Sequence, residues 1–357
     1  MKINVLKVFN GDAIHINYQN DERDINILVD SGSEDSYIKE EKEQKPPRKV
    51  NIIEGEFKKF LDEMKSTGKI IDLLIITHVD YDHIGGIIKW IESDEFDCQL
   101  IKKVWFNSGQ LINEYFNTNH ENDNRINVRQ KKVDTVKTTI EDGVKFEEIL
   151  EEHNLWDRKI IKAYDSYDEK ELGVKFIILS PNEENLKKLL TKWKDEEPES
   201  IKTAKKTDYD NTLSELLDKN ISYDGSVHNG SSISFILEIE NKKLLFLADS
   251  FHTTILKTLN KLYENTIDFD LVKLSHHGSK YNISDKLLKK INCKKYIIST
   301  DGSIHSHPHK ETLAKIINNT PDSELYFNYI DLAKRIFIEQ DKKDFNFTVY
   351  DTKDLEI

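Results

Sequence analysis

Polar and apolar residues alternate along the start of the chain. That period of two predicts short strands over 3–9, 13–18 and 24–29, the third running into Asp30-Ser31-Gly32. Three such runs in succession predict an antiparallel meander. Residues 33–50 are charged and carry Pro46-Pro47, so they read as a surface loop ahead of an amphipathic helix over 54–65. The next run, 70–77, is largely apolar, as a strand buried on both faces requires. It delivers the polar cluster His78-Val79-Asp80-Tyr81-Asp82-His83, and helical spacing resumes over 84–92, which puts the cluster on a strand-to-helix turn.

The middle of the chain changes character. Residues 110–224 are rich in Lys, Glu, Asp and Asn, with helical stretches at 146–155 and 184–193 and one clear strand over 175–179. Charged segments of this kind commonly form solvated faces, whereas a long insertion between two polar clusters also suits a substrate-facing cap. Strand rhythm returns at 232–239, 244–248, 271–275 and 295–299, interleaved with helices over 253–263, 285–291 and 310–318. Closing strands are predicted over 324–329, 333–338 and 345–350. The expectation is an α+β protein, a single αββα domain over residues 1–357 with a largely helical, charged insertion at 110–224.

Charge narrows the partners. With 65 acidic against 52 basic residues the formal net charge is −13, which opposes broad nucleic-acid binding unless a basic patch or bound divalent ions offset it. Arg125, Arg129, Lys131, Lys132 and Lys137 form a modest basic run inside the insertion, and most such runs are solvated surface. Cys98 and Cys293 lie far apart and outside any CxxC pattern, so neither a disulfide framework nor a thiolate metal site is indicated. The start of the chain lacks the apolar core of a signal peptide, and no stretch approaches the roughly 20 apolar residues of a membrane span. The chain is expected to be soluble and cytoplasmic, with no membrane partner.

His78, Asp80, Asp82 and His83 are crowded onto one turn, where side chains converge without a regular element dictating their direction. Two imidazoles and two carboxylates suit divalent ions. The competing reading is a helix N-cap in which Asp82 accepts from free amides and the histidines are incidental. Asp249 follows the run 244–248, and His276-His277-Gly278-Ser279 follows the run 271–275. Both groups therefore sit at C-terminal strand ends, where ligands gather in open sheets, although polar residues also end strands for turn chemistry alone. His307 lies in the histidine-rich stretch Asp301-Gly302-Ser303-Ile304-His305-Ser306-His307-Pro308-His309. A histidine there suits binding a phosphate oxygen or protonating a leaving group, with a solvated loop as the plainer reading.

The run Thr77-His78-x-Asp80-x-Asp82-His83-Ile84-Gly85-Gly86 resembles the H-x-[HD]-x-D-H signature of metallo-β-lactamase-fold hydrolases. The likeness extends to the hydrolase domain of ComEC-type DNA-uptake proteins. It is carried by Asn10-Gly11-Asp12-Ala13, Leu28-Val29-Asp30-Ser31-Gly32, Asn229-x-x-Ser232, Ala248-Asp249, His276-His277-Gly278-Ser279 and His307-Pro308, in order across most of the chain outside the insertion. The resemblance implies a metallo-β-lactamase sandwich with His78 and Asp80 on one metal ion, Asp82 and His83 on the other, and Asp249 bridging both. One of His276 and His277 would complete the second site. At the family's third histidine motif this chain has Asn229 with His228 beside it; either suits the first ion, and a single-ion site is the alternative. Asp80 replaces the more usual histidine, a shift toward oxygen ligands that favours manganese without excluding zinc. Asp12 and Asp30 are expected to orient turns or ligand histidines.

For function, the resemblance implies a metal-dependent phosphodiesterase or nuclease, with nucleic acid among the candidate substrates. Asp82 and Asp249 would serve the catalytic centre, a metal-activated hydroxide would attack, and His307 or the non-ligating member of His276 and His277 would supply a proton. One fold hosts many chemistries. Hydrolysis of a small ester, thioester or lactone is the first alternative, and a non-catalytic metal-binding subunit acting with a protein partner is the second.

Overall fold

The computed structural model describes residues 1–20, 23–42, 50–117, 139–194, 207–217 and 223–357. The basic run at Arg125, Arg129, Lys131, Lys132 and Lys137 lies outside the described residues. The described chain is α+β and forms two compact units, the first holding the described residues of 3–160 with Trp193 and Lys194, the second Met1 and Lys2 with the described residues of 161–192 and 207–357.

The first unit is built on a five-stranded sheet in the order β1 (Lys2–Val5), β2 (Ile14–Gln19), β3 (Asp24–Val29), β4 (Leu73–Ile75), β5 (Val104–Trp105). β2 and β3 pair antiparallel, as the alternation predicts, whereas β3, β4 and β5 run parallel. Parallel pairing puts the ends of β3 and β4 at one edge, so Asp30 and Thr77 meet there. The run 70–77 condenses to β4, and Leu73, Leu74, Ile75 and Ile76 are all fully buried, which explains the absence of alternation. α1 (Glu56–Ser66) precedes β4, and α2 (Tyr81–Ile91) follows the polar turn and buries Ile84, Ile87 and Ile88. Burying each such side chain is worth about 1.5–3 kcal/mol, so packing anchors the helix that carries His83. Gly86 lets α2 approach the strand-end backbone, since a Cβ there would lie 2.2 Å from the Ser31 carbonyl oxygen.

The second unit carries an eight-stranded mixed sheet. In chain order its strands are β6 (Ser166–Glu169), β7 (Val174–Ser180), β8 (Ser234–Ile239), β9 (Lys242–Phe246), β10 (Leu271–Lys273), β11 (Lys295–Ile298), β12 (Ser323–Phe327) and β13 (Phe347–Asp351), and they stand side by side as β13-β12-β11-β10-β9-β8-β7-β6. From β9 to β13 neighbours are parallel, and from β6 to β9 they are antiparallel. Parallel strands open their C-terminal ends on one edge, and the loops after β9, β10 and β11 carry Asp249, His276-His277 and Ser299.

Several sequence expectations shift. The predicted strand over 333–338 is instead the helix Ile330–Ile336, whose buried Leu332, Ala333 and Ile336 recur at helical spacing. The predicted loop over 33–50 contains half of a two-stranded sheet, Ile38–Lys42 against Val50–Glu54. Its charged, exposed residues hide the strand period. Within 110–224 the structure shows helices Gly109–Phe116, Thr139–Glu152, Glu183–Lys194 and Leu213–Leu217, but also β6 and β7, which hydrogen-bond into the second sheet.

Candidate functional site

In the first unit, the turn between β4 and α2 is organised from beneath by Asp30. Asp30 follows β3, has φ +60°, and is fully buried. A non-glycine residue in that left-handed region costs of the order of 1–3 kcal/mol, a strain held in place by the surrounding bonds. Its Oδ1 accepts from the Thr77 N–H at 2.8 Å, and its Oδ2 accepts from Thr77 Oγ1 at 2.8 Å. The same Oδ2 lies 2.8 Å from His83 Nδ1. A carboxylate facing Nδ1 holds the ring proton there and leaves the lone pair on Nε2.

The bond from Thr77 extends the effect to His78. A threonine hydroxyl has one proton, and it goes to Asp30. In the 3.0 Å contact between Thr77 Oγ1 and His78 Nδ1 the ring must therefore donate, which leaves the second histidine with its lone pair on Nε2 as well. The His78 Nε2 atom is buried without a hydrogen-bond partner and lies 3.5 Å from Asp80 Oδ2. His83 Nε2 lies 3.9 Å from Asp82 Oδ1, and the two imidazole centroids are 4.2 Å apart. Asp80 occupies the N-cap position of α2 without a side-chain capping bond, and Asp82 accepts from Asn10 Nδ2 at 3.1 Å.

The loop Asn10-Gly11-Asp12 wraps the same turn. The Asp12 N–H donates to the Asp82 carbonyl at 3.2 Å, and any Cβ at Gly11 would stand 2.0 Å from that oxygen. Asp12, Asp30 and His83 present ligand atoms within 4.8 Å of one another. Within that trio the Nδ1 side of His83 faces Asp30.

In the second unit, the loops after β9, β10 and β11 collect another donor set. Ala248, His276 and His277 all have positive φ, at 43°, 47° and 54°, so the backbone at both polar groups is held in the left-handed region. His277 Nδ1 donates to the Ser299 carbonyl at 2.9 Å, which leaves its Nε2 as the lone-pair side, 4.0 Å from Asp249 Oδ2. His276 Nε2 lies 3.6 Å from the same carboxylate oxygen. On its other side, His276 Nδ1 stands 3.3 Å from Asp224 Oδ2, 3.2 Å from Asn229 Nδ2 and 3.2 Å from Asn282 Oδ1.

The carboxylate of Asp224 gathers this group, accepting from Asn229 Nδ2 at 2.7 Å and Asn282 Nδ2 at 3.0 Å. Burial alone pushes the Asp224 carboxyl up, but the His276 ring and the Asn229 and Ser226 N–H donors outweigh it, and the net shift is downward. For His276, burial pushes the imidazole down, while the Asp249 and Asp224 carboxylates more than offset it and hold the pKa above its ordinary value. His307 packs edge-on against His276 with centroids 4.8 Å apart. Burial first, then the neighbouring imidazoles of His276, His309, His277 and His305, hold His307 well below its ordinary pKa. It is neutral near pH 7, with a buried Nδ1 that lacks a hydrogen-bond partner.

Each expected residue thus has a defined place. His78, Asp80, Asp82 and His83 come together in the first unit, and Asp249, His276, His277 and His307 come together in the second. His228 is buried on the short helix Val227–Gly230, beside Asn229, which the structure joins to His276. Sequence reasoning missed Asp224, Asn282 and the Ser299 carbonyl. Asn282 follows the histidine pair by only a few residues, the one signal that could have marked it.

Residues 18–97 match the family model described as Metallo-beta-lactamase superfamily, a span that contains Asp30 and the whole 78–83 turn. No curated protein matches the chain. Among the described residues, no helix is long and apolar enough to cross a membrane. The α+β architecture and the family match agree on a metallo-β-lactamase fold. Together with the histidine and aspartate clusters, they point to a metal-dependent hydrolase. The donor chemistry fits divalent ions, since His78, His83 and His277 each have Nδ1 engaged and Nε2 left as the ligand atom beside a carboxylate.

Proposed function

We propose that this protein is a phosphodiesterase acting on nucleic acid, with divalent manganese or zinc as its cofactor. The observation that carries the reading is the placing of each Nε2 near a carboxylate oxygen: His78 with Asp80, His83 with Asp82, and His276 and His277 with Asp249. Such mixed nitrogen and oxygen sets suit ions that neutralise phosphate oxygens. His78, Asp80, Asp82 and His83 would hold metal in the first unit; Asp249 with His276 or His277 would do so in the second, with His228 or Asn229 as a further donor. Divalent ions bound there would lower the pKa of water toward neutrality and offset charge on the substrate oxygens.

The chain's own groups do the remainder. Asp30 keeps both first-unit histidines in the ligating tautomer, and Asp224, Asn229 and Asn282 orient His276. His307 is neutral in the substrate-free protein, and a phosphate anion beside it would raise its proton affinity. It then hydrogen-bonds a phosphate oxygen or delivers a proton to the leaving alkoxide. The likeness to the DNA-uptake hydrolase domain supports a phosphodiester. The net charge of −13 favours the second reading, a small neutral ester, thioester or lactone.

The test is to purify the protein without added metal, count bound metal by elemental mass spectrometry, and compare wild type with an Asp82→Ala, Asp249→Ala double variant. Stoichiometric metal and manganese- or zinc-dependent phosphodiester cleavage are expected, both lost in the variant. Metal binding with hydrolysis of a simple ester and no phosphodiester cleavage would hand the function to the second reading.

A further inference from the structure

Tyr223 is an exposed aromatic ring beside the second-unit donor set. It is 68% exposed, yet one face is covered, stacked on His252 with ring centroids 5.4 Å apart and 24° between the planes. His252 is buried, and neither of its ring nitrogens has a hydrogen-bond partner. The next residue along the chain, Asp224, lies 3.3 Å from His276 Nδ1 and accepts from Asn229 and Asn282. Tyr223 is therefore tied through one peptide unit to the network that positions a candidate metal ligand.

An exposed aromatic face backed by a second ring is a platform for a nucleobase. Stacking tolerates any base, because every base has a π face, whereas a base inside a duplex already has both faces covered. The formal net charge of −13 also weakens the backbone electrostatics that usually dominate nucleic-acid affinity, so contact with the base carries more of the binding.

We propose that Tyr223, backed by His252, stacks an unpaired nucleobase adjoining the scissile phosphodiester and so selects single-stranded nucleic acid over duplex. This rests on the phosphodiesterase reading above and names its substrate class. Tyr223 is a specificity residue and touches none of the reacting atoms, so its loss acts on binding and leaves the hydrolytic groups in place.

The experiment is fluorescence anisotropy with two labelled phosphorothioate strands of equal length, which resist cleavage: oligothymidylate, and a fully abasic strand. Wild type is expected to bind the base-bearing strand about tenfold more tightly, the scale of one base stacked on an aromatic ring. Tyr223→Ala should abolish that difference without changing abasic binding, and Tyr223→Trp should keep it. The proposal is overturned if wild type binds both strands equally, or if Tyr223→Ala retains the preference. Cleavage of an ordinary phosphodiester oligothymidylate at saturating concentration, measured in parallel, reads the hydrolytic activity alone. No cleavage with base-dependent binding intact would sink the phosphodiesterase reading and still support the platform.

Discussion

The turn at 78–83 and the loops around Asp249 and His276-His277 hold the same kind of side chain in different ways. In the first unit one carboxylate, Asp30, holds Thr77 twice and His83 once, and through Thr77 it sets the tautomer of His78. In the second unit the work is spread. A main-chain carbonyl fixes His277, and a carboxylate with two amides surrounds His276. A carboxylate partner makes an imidazole more basic as well as oriented, whereas a carbonyl orients it without adding charge. Concentrated control is sensitive to one substitution, and distributed control is not.

Asp30→Ala is expected to have the largest effect. It leaves three buried donors, the Thr77 N–H, the Thr77 hydroxyl and His83 Nδ1–H, and each unsatisfied donor costs about 1–3 kcal/mol. A loss of about 3 kcal/mol or more in unfolding free energy is expected, with metal affinity down about 10–100-fold. Asn282→Ala in the second unit should cost less, about 1–2 kcal/mol, because His276 keeps Asp224 and Asn229. Denaturant unfolding of the two variants side by side decides it, and equal losses would show that control is not concentrated on Asp30.

The same contrast explains what the sequence disclosed. The first donor set lies within one turn, after a strand too apolar to alternate and before a helix of regular spacing, so its place was legible from residues alone. The pairing of Asp249 with His276 and His277 was legible only as strand-end position, because the loops that join them are far apart in the chain. Asp224 gave no signal, and Asn282 gave only its nearness to the histidine pair. Their role depends on how three parallel strands end at one edge, which no local pattern encodes. The strand predicted over 333–338 failed for a related reason: Leu332, Ala333 and Ile336 satisfy helical spacing, but the apolar Phe337 and Ile338 beyond them imitate a strand.

Glu147 provides a control for Asp30 within the first unit. It is buried too, at 7% exposed, but its side chain accepts only from the Ser108 hydroxyl and the Gln110 N–H. Burial, the largest cause, pushes its pKa up to about 7. An acid whose folded pKa is raised stabilises fully below its unfolded pKa of about 4.5 and loses that contribution as pH rises through about 7. The shift amounts to about 3 kcal/mol. Stability should therefore fall between about pH 4.5 and pH 7, and Glu147→Gln should flatten that decline. Urea midpoints of both proteins across this range supply the check. An unchanged slope in the variant would remove Glu147 as its source.

Thr77→Val is expected to cause the smallest change in stability. Valine nearly matches threonine in shape but cannot pass a hydrogen bond from Asp30 to His78, while the Thr77 main-chain bond to Asp30 and the direct Asp30–His83 bond are unaffected. The cost should be about 1 kcal/mol, that of one hydrogen-bond partner. The informative change is in the rings. Long-range nitrogen–proton NMR of the metal-free protein should show His83 still protonated on Nδ1 in the variant, while His78, released from the hydroxyl, shifts toward a mixture of tautomers. If His78 keeps a single Nδ1–H form in Thr77→Val, the hydroxyl does not relay the influence of Asp30, and His78 must be held by its packing alone.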